Sequence, residues 1–331
     1  MENTGKRLFI LVLSSVLSVF AALTFNLPQV AAEEYPARAI SVIAPADPGG
    51  AIDLGARAFA SVAEKYLGKP VVVVNKAGGQ GLPATLDMVR AKPDGYTIGF
   101  LIITHVIPET FTHFLKGAPP YSSKDIRPIG QLTKSAQMLA VKADSPWKTF
   151  SDLVSYVRTN PGLKYGSNPE GTLPSLMMHI VAKKEGIKWT PVPLVEDGKI
   201  VTALLGDHVP AGTASFGALR PHMEAGTLRP LTVFLDERLS QVPNIPSIME
   251  LGYELAYVSA LGLYGPKGLP DSVVKKLEDV IRKVTEDPSY REKAKQLGVQ
   301  VSYRDSGAFA NLIHKNQASL EKVFKEMGYL K

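Results

Sequence analysis

Between a β-like run and a helical one, the sequence reads APADPGGAID, from Ala44 to Asp53. The preceding AISVI alternates apolar and polar positions, and the following LGARAFASVAEKYLG carries apolar residues at helical spacing, so the stretch joins a strand to a helix. In α/β proteins such junctions are where ligands sit. The chemistry on offer is non-covalent. A strand ending at Pro45 and a helix starting near Asp53 present backbone N–H groups without intrahelical partners at the positive end of a helix dipole, which suits a carboxylate. Gly49 and Gly50 let a ligand approach the main chain with no Cβ in the way. Asp53 is expected first of all to cap its own helix, and the two glycines alone would also serve a tight turn.

A second junction of the same kind follows far along the chain. YGSNPEGTLPS, Tyr165 to Ser175, is another strand-to-helix loop, with Ser167, Asn168, Gly171 and Thr172 as small donors. Two anion-binding helix starts, one per domain, imply a ligand clamped between lobes. Other motifs point elsewhere more weakly. Gly79-Gln80-Gly81-Leu82-Pro83-Ala84 has the form of a dinucleotide loop after a strand, but Pro83 removes a backbone donor. No glycine loop leads into a lysine as a phosphate-cradling loop requires. TASFG, with Ser215, lacks the glycine two residues before the serine that a nucleophile elbow needs, as does YGSNP with Ser167, so Ser215 is retained as a ligand-binding candidate. The six histidines form no His-x-x-x-His pair around a glutamate, and with no cysteine a zinc site would need scattered ligands. Neither metal nor cofactor is expected.

The elements that must carry these loops are legible as periodicities. AISVIAP leads to a helix over Leu54–Leu67, PVVVVN leads through the second glycine loop to another helix, and YTIGFLII makes a third strand. Continuous Val/Ile runs flanked by turns predict parallel strands buried on both faces of a doubly wound sheet. The middle of the chain repeats this alternation, with MLAVKA, a helix over Ser151–Arg158 capped by Thr149 or Ser151, LKYGS, MMHIVAKKEG, WTPVPLV, KIVTALLG, VPAGTASF, a helix around His222, and LRPLTVFL. SQVPNIPSIMELGYEL is rich in proline and turn residues and reads as a surface connection. The tail is helical. Asp271 or Ser272 is expected to cap a helix with Val273, Val274, Leu277, Val280, Ile281 and Val284 on one face; Asp287 caps the next, and a last helix runs from about Ser306 to Met327.

At 331 residues the chain is long enough for two domains with substantial cores. Lys6 and Arg7, the apolar run Leu8–Phe25 and the small residues Val30-Ala31-Ala32 predict a secretory signal peptide over residues 1–32, with an uncleaved anchor helix as the alternative. Either way the folded part is expected outside the cytoplasm. An exported chain without cysteine must be held by its core alone, which points to a bacterial periplasm. A net charge of +6 mildly favours anionic ligands, while the lack of any Lys/Arg block interleaved with aromatics argues against nucleic acid.

Over essentially the whole region after the leader, the chain resembles the periplasmic solute receptors of tripartite tricarboxylate transporters, also called Bug receptors. The resemblance is carried in order by YPARAISVIAPADPGGAIDLGARAFASVAEKYLGKPVVVVNKAGGQG, KPDGYTIGF, LKYGS followed by GT, ALLG, LRPLTV before VPNIPSIMELGY, and LYGPKGLPDSVVKKLEDVIRKVTEDPSYREKAKQLG. It implies a type II periplasmic-binding-protein fold: two doubly wound α/β lobes joined by a hinge, with a ligand cleft between them. Such a receptor closes on an organic acid and hands it to a membrane permease. The resemblance places the first-strand loop (Ala46, Asp47, Gly49, Gly50, Ile52 and Asp53) and the loop after the third strand (Thr104 and His105) opposite Ser167–Thr172. Main-chain amides, small hydroxyls and water would hold one ligand carboxylate there.

Several positions depart from the family pattern. Ala46 stands where an aromatic residue is usual, Asp47 and Ala51 where small residues or glycine are usual, and Asn168-Pro169-Glu170 where glycine and small residues are common. Leu194-Val195-Glu196-Asp197-Gly198 replaces a run with an aromatic, a lysine and glycines, and Pro210 replaces an aspartate. Acids at Asp47, Glu170 and Glu196 would repel a second carboxylate at a few ångströms. A monocarboxylate, aromatic acid or amine-bearing acid is therefore expected in place of citrate. The expected organisation is residues 33–132 with 255–331 as one lobe and 133–254 as the other, in a monomeric, non-enzymatic receptor. An exported α/β hydrolase and a ligand-binding sensor subunit are the alternatives. The first would show turnover; the second differs only in its protein partner.

Overall fold

The computed structural model of the chain describes residues 34–114, 118–194 and 196–330. The segment read as a signal peptide lies outside them, and the folded body runs from Arg38. Among the described residues no helix is long and apolar enough to cross a membrane.

Two sheets organise the body. The chain enters through β1 (Ile40–Ala44), α1 (Ala51–Leu67), β2 (Val71–Asn75), α2 (Leu82–Val89) and β3 (Thr97–Ile102), passes two 3-10 segments (Ile103–Val106 and Pro108–Phe114), and continues into β4 (Ile126–Ser135). One residue later β5 (Gln137–Lys142) opens the second sheet. Then come α3 (Phe150–Thr159), β6 (Leu163–Ser167), α4 (Leu173–Glu185), β7 (Trp189–Pro193), α5 (Asp197–Leu205), β8 (Ala211–Ser215), α6 (Phe216–Glu224) and β9 (Leu228–Val233). A long connection returns the chain to β10 (Ala260–Pro266), α7 (Asp271–Glu286), α8 (Pro288–Gln296), β11 (Val299–Arg304) and α9 (Ser306–Glu326).

The first sheet has the order β11-β4-β10-β3-β1-β2 and the second β7-β6-β8-β5-β9. In each, a central strand pairs in parallel on both sides: β1 with β2 and β3, β6 with β7 and β8. Beyond these the sheets are mixed. β10 runs antiparallel to β3 and β4, and β5 antiparallel to β8 and β9. The three Val/Ile runs β1, β2 and β3 thus pair in parallel as read, while strands beyond them join antiparallel, and the cause is topological. Each sheet takes in a strand that arrives from the other sheet without a crossover helix, and only such a helix would bring it in parallel. A correction concerns PVVVVN. It forms the edge strand β2, where Val72 is half exposed, so it is not buried on both faces.

Local signals settle most of the helices. Gly68 takes the left-handed conformation that ends α1, φ 66°. Thr149 starts α3 with a reciprocal box, its hydroxyl accepting from the Asp152 amide while Asp152 accepts from that of Thr149. The apolar stripe of α7 is buried as its spacing predicts, each of Val273, Val274, Leu277, Val280, Ile281 and Val284 contributing about 1.5–3 kcal/mol. Its start differs: Pro270 occupies the N-cap, and Asp271 and Ser272 fall within the first turn. Three strands have no counterpart in the sequence reading: β4, β10 and β11.

Asp287 caps α8 and ties it to α1. Its carboxylate accepts from the Ser289 amide and hydroxyl, the Tyr66 hydroxyl and Lys65 Nζ at 2.7–3.1 Å. The Ser289 hydroxyl, then Tyr66 and Lys65, hold it well below the usual carboxylate range, outweighing burial. A depressed folded value means that this contribution is complete above the unfolded value of 3.8 and is lost as pH falls toward the folded one. Asp287→Asn is therefore expected to lower the melting temperature at pH 7 and to lower it by progressively less as the pH falls below 3.8. Thermal unfolding of both proteins across that range measures the gap, and a gap that stays constant would contradict the assignment.

Candidate functional site

Because β1 connects to β2 on one side and is flanked by β3 on the other, the carboxyl ends of β1 and β3 leave a crevice; β6 and β8 do the same in the second sheet. The four chain segments leaving those ends are residues 45–50, 103–106, 168–172 and 215–216. They contain the site residues read from the sequence except Ile52 and Asp53, in the first turn of α1, and Ser167, the last residue of β6.

The first of these loops is closed on itself. The Gly49 amide donates to Asp53 Oδ2 at 2.8 Å, and the Gly50 amide donates to the Asp47 carbonyl at 3.0 Å. Asn75 Nδ2 donates to Asp53 Oδ1 at 2.8 Å and to the Ala46 carbonyl at 3.1 Å, while Arg57 Nε reaches Asp53 at 3.0 Å. Asp53 is 1% exposed. Burial pushes its carboxyl up, but the hydrogen bonds from Arg57, Gly49 and Asn75 outweigh it and leave the group below its ordinary value. Asp53 is thus the knot of the loop. It reaches one residue past the N-cap Gly50 to Gly49 and has no oxygen left for a ligand. The Gly49 and Gly50 amides expected to face a ligand face protein oxygens, because a buried carboxylate needs donors and these are the nearest. Of the first turn of α1, the Ala51 and Ile52 amides remain without helix partners by geometry.

A matching knot ties the second sheet. Asn168 Nδ2 donates to Asp197 Oδ1 at 2.9 Å, and the Ser215 amide donates to Asp197 Oδ2 at 2.9 Å. Asn168 Oδ1 in turn accepts from the Thr213 hydroxyl at 3.1 Å. In both sheets an Asp–Asn hydrogen bond thus joins the carboxyl ends of the two neighbouring parallel strands. Ser167 is buried and its hydroxyl donates to the Asn168 carbonyl; the Thr172 hydroxyl donates to the Pro169 carbonyl. Ser215 caps α6, accepting from the Ala218 amide. Asn168, Ser167 and Ser215 accordingly shape the loops.

What the two sheets enclose together is a cavity of about 370 Å³. Ile102, Thr104, His105 and Phe111 line it from the first sheet's side, Pro169, Glu170, Gly171 and Thr172 from the second, and Tyr257 from the long connection. The structure therefore brings Thr104 and His105 together with Gly171 and Thr172, and leaves Ala46, Asp47, Gly49, Gly50, Ile52 and Asp53 out of the lining. A larger cavity, about 500 Å³, takes in Ser167 and Asn168 but lies mostly between α4 and the edge strand β7 of one sheet.

Burial holds His105 neutral, its value lowered to about 4. Its ring lies against the second glycine loop: a Cβ on Gly81, φ 78°, would come within 2.7 Å of His105 Nε2. Gly78, Gly79 and Gly81 all have positive φ, so the glycines of that dinucleotide-like motif serve a turn and a close approach. Tyr257 is buried, which pushes its phenol up, and the nearby Leu173 amide, first in α4, acts in the opposite direction. The next residue is Pro174, which has no amide hydrogen to offer. Glu170 is exposed and accepts from the hydroxyl of Tyr329, whose ring stacks on His113 at 4.2 Å. Among the described residues no group of three or more His, Asp or Glu is placed to hold a metal ion.

The sequence model of the tripartite tricarboxylate transporter family receptor matches residues 55–329. The chain belongs to that receptor family. A curated relative, the UPF0065 protein in gbd 5' region of Cupriavidus necator, is 34% identical over 300 residues, 89% of this chain and 90% of its own. A TctC solute-binding protein from Polaromonas superposes with a TM-score of 0.79 at 25% identity, over 88% of this chain and 99% of its own. An R. palustris structure described with adipate gives 0.73 at 24% identity, over 89% and 99%. The receptor is a solute-binding protein of a periplasmic family with the two-lobe α/β fold.

Sequence reasoning misses two parts of this candidate site. Asp197 enters the sequence reading only within a run that departs from the family pattern, although an aspartate opening a helix soon after a strand is a recognisable tie for a neighbouring loop. Tyr257 sits in a connection without periodicity, and nothing local marks it.

Proposed function

We propose that this receptor captures a small organic acid in the cavity between its sheets and delivers it to the membrane subunits of a tripartite transporter. The observation that carries the reading is the lining itself. Thr104 and His105 follow β3, Gly171 and Thr172 precede α4, and a ligand touching both favours the state in which the lobes meet. Family membership supports the ligand class and the transporter partner. The leader over residues 1–32 would direct export to the periplasm.

The two lobes would move about Ser135–Gln137 and the connection after β9. The crossing strand is held on both sides there: the Ser135 amide donates to the Ser259 carbonyl at 2.8 Å, and the Phe234 amide to the Gln137 carbonyl at 2.7 Å. The sequence-based division into residues 33–132 with 255–331 and 133–254 is proposed with that hinge.

A thermal-shift panel of mono-, di- and tricarboxylates tests the function. A bound acid at a hundred times its dissociation constant adds about 2.7 kcal/mol, a clear rise in melting temperature, and is recovered unchanged after incubation. Chemical conversion of a bound acid, or no response to any member of the panel, would remove the reading.

A further inference from the structure

Resting on that receptor reading, a narrower statement about the ligand follows from the cavity walls. Leu82, Ile102, Pro108, Phe111 and Pro169 line it with apolar surface. Among its described lining residues the one carboxylate is Glu170, and no lysine or arginine is present. His105, neutral at physiological pH, adds no compensating charge. A second ligand carboxylate would be withdrawn from water without a cation to meet it, which is costly. Glu170 adds like-charge repulsion, modest at an exposed site and in the same direction. The Tyr329 hydroxyl keeps Glu170 in place by bonding one of its oxygens, and Tyr329 is itself packed on His113 of the first sheet's side.

A single carboxylate, by contrast, has a donor. The Tyr257 hydroxyl belongs to the cavity lining and lies near the start of α4, where its hydrogen can be donated to a carboxylate. Burial raises the phenol further, which keeps that hydrogen in place. With no amide hydrogen on Pro174, the tyrosine hydroxyl takes over what a free helix start would do.

We infer that the cavity takes an organic acid with one carboxylate and an apolar body, Tyr257 donating to that carboxylate and Glu170 selecting against a second one.

Calorimetric titration of the protein at pH 7 and fixed ionic strength, with phenylacetate, benzoate and hexanoate against succinate and adipate, tests this. The best monoacid is expected to bind at least tenfold tighter than adipate. Tyr257→Phe is expected to weaken that monoacid at least tenfold, and Glu170→Gln to shift the ratio of adipate to monoacid affinity at least fivefold toward adipate. Adipate or succinate matching the best monoacid overturns the inference, and so does a Glu170→Gln protein with unchanged selectivity or a folded Tyr257→Phe protein with unchanged affinity. Should Tyr257→Phe fail to fold, the wild-type panel and the exposed-site variant Glu170→Gln decide alone. If no acid of either series binds, the carboxylate reading falls and this inference with it; if diacids alone bind, only this inference falls.

Discussion

Gly298→Ala is expected to leave both sheets folded yet weaken ligand binding about a hundredfold. Gly298 follows α8 on the first sheet's side, and Gly217 is the second residue of α6 on the other. A Cβ on Gly298 would lie 2.6 Å from Gly217 Cα and 2.8 Å from its nitrogen, both backbone atoms that no rotamer change can move. Around this point the Arg220 guanidinium donates to the Lys295 carbonyl at 2.9 Å, so the lobes meet here main chain to main chain. Gly298 also has φ +68°, which costs an alanine about 1–2 kcal/mol wherever the lobes stand. The overlap with Gly217 is additional, and the proposed opening of the lobes would relieve it. A penalty of about 2.7 kcal/mol on the state with the lobes together lowers apparent affinity about a hundredfold. Gly226→Ala is the control, with φ +66° and nothing within 4 Å of its Cβ, so it bears the backbone cost alone. Titration calorimetry and solution scattering of the two variants separate the effects. Equal affinities in both would mean that the Gly217–Gly298 seam plays no part in the binding state.

The seam illustrates what a one-dimensional reading reaches and what it does not. Gly298 is legible as a helix stop, and α8 does end there, but its partner Gly217 lies 81 positions away and only tertiary packing joins them. The helices α7 and α9 are readable because a single buried face leaves a 3.6-residue stripe, and Thr149 with Asp152 because a cap is local. Strand β4 is invisible for the opposite reason. Its buried positions include Gln131, Thr133 and Lys134, residue types that a hydrophobic pattern assigns to loops. Strand β10 carries Gly262, which reads as a turn; in the fold it admits the Phe309 ring, a Cβ there falling 2.4 Å from it. At the site, the strand-to-helix loops stand out in sequence because glycine and proline mark them. What their amides bond to does not, since Asp53 has to be seen buried before it can be seen consuming the Gly49 donor. Tyr257 and Tyr329 enter from a connection and from the C-terminal turn, places where sequence carries no period to read.

Lys134 supplies the second large effect. It is nearly fully buried at the end of β4, and Nζ lies 2.8 Å from both Asp236 Oδ1 and Glu237 Oε1, just beyond β9. The bonds therefore run from the first sheet to the segment that leaves the second, across the strand that joins them. Two acids around one lysine satisfy its charge without a vacant donor direction being forced into apolar surroundings. Removing the partner of a buried pair costs about 3–5 kcal/mol, but Glu237 is mostly exposed and regains water, so Lys134→Ala is expected to cost about 2–3 kcal/mol. Lys134→Met restores the stem volume and leaves the charge removed, so the difference between the two variants isolates the packing part. Urea unfolding gives both numbers. A hinge role predicts more than lost stability: with the tie gone, the two sheets should sample a wider range of separations, and ligand-free scattering profiles should broaden for Lys134→Met while those of the ligand-saturated protein match wild type. If Lys134→Met is as stable as wild type and its scattering is unchanged in both states, the ion pair is only a surface-side decoration of β4, and the resistance to bending must lie in the backbone bonds that hold Ser135 to Ser259 and Gln137 to Phe234.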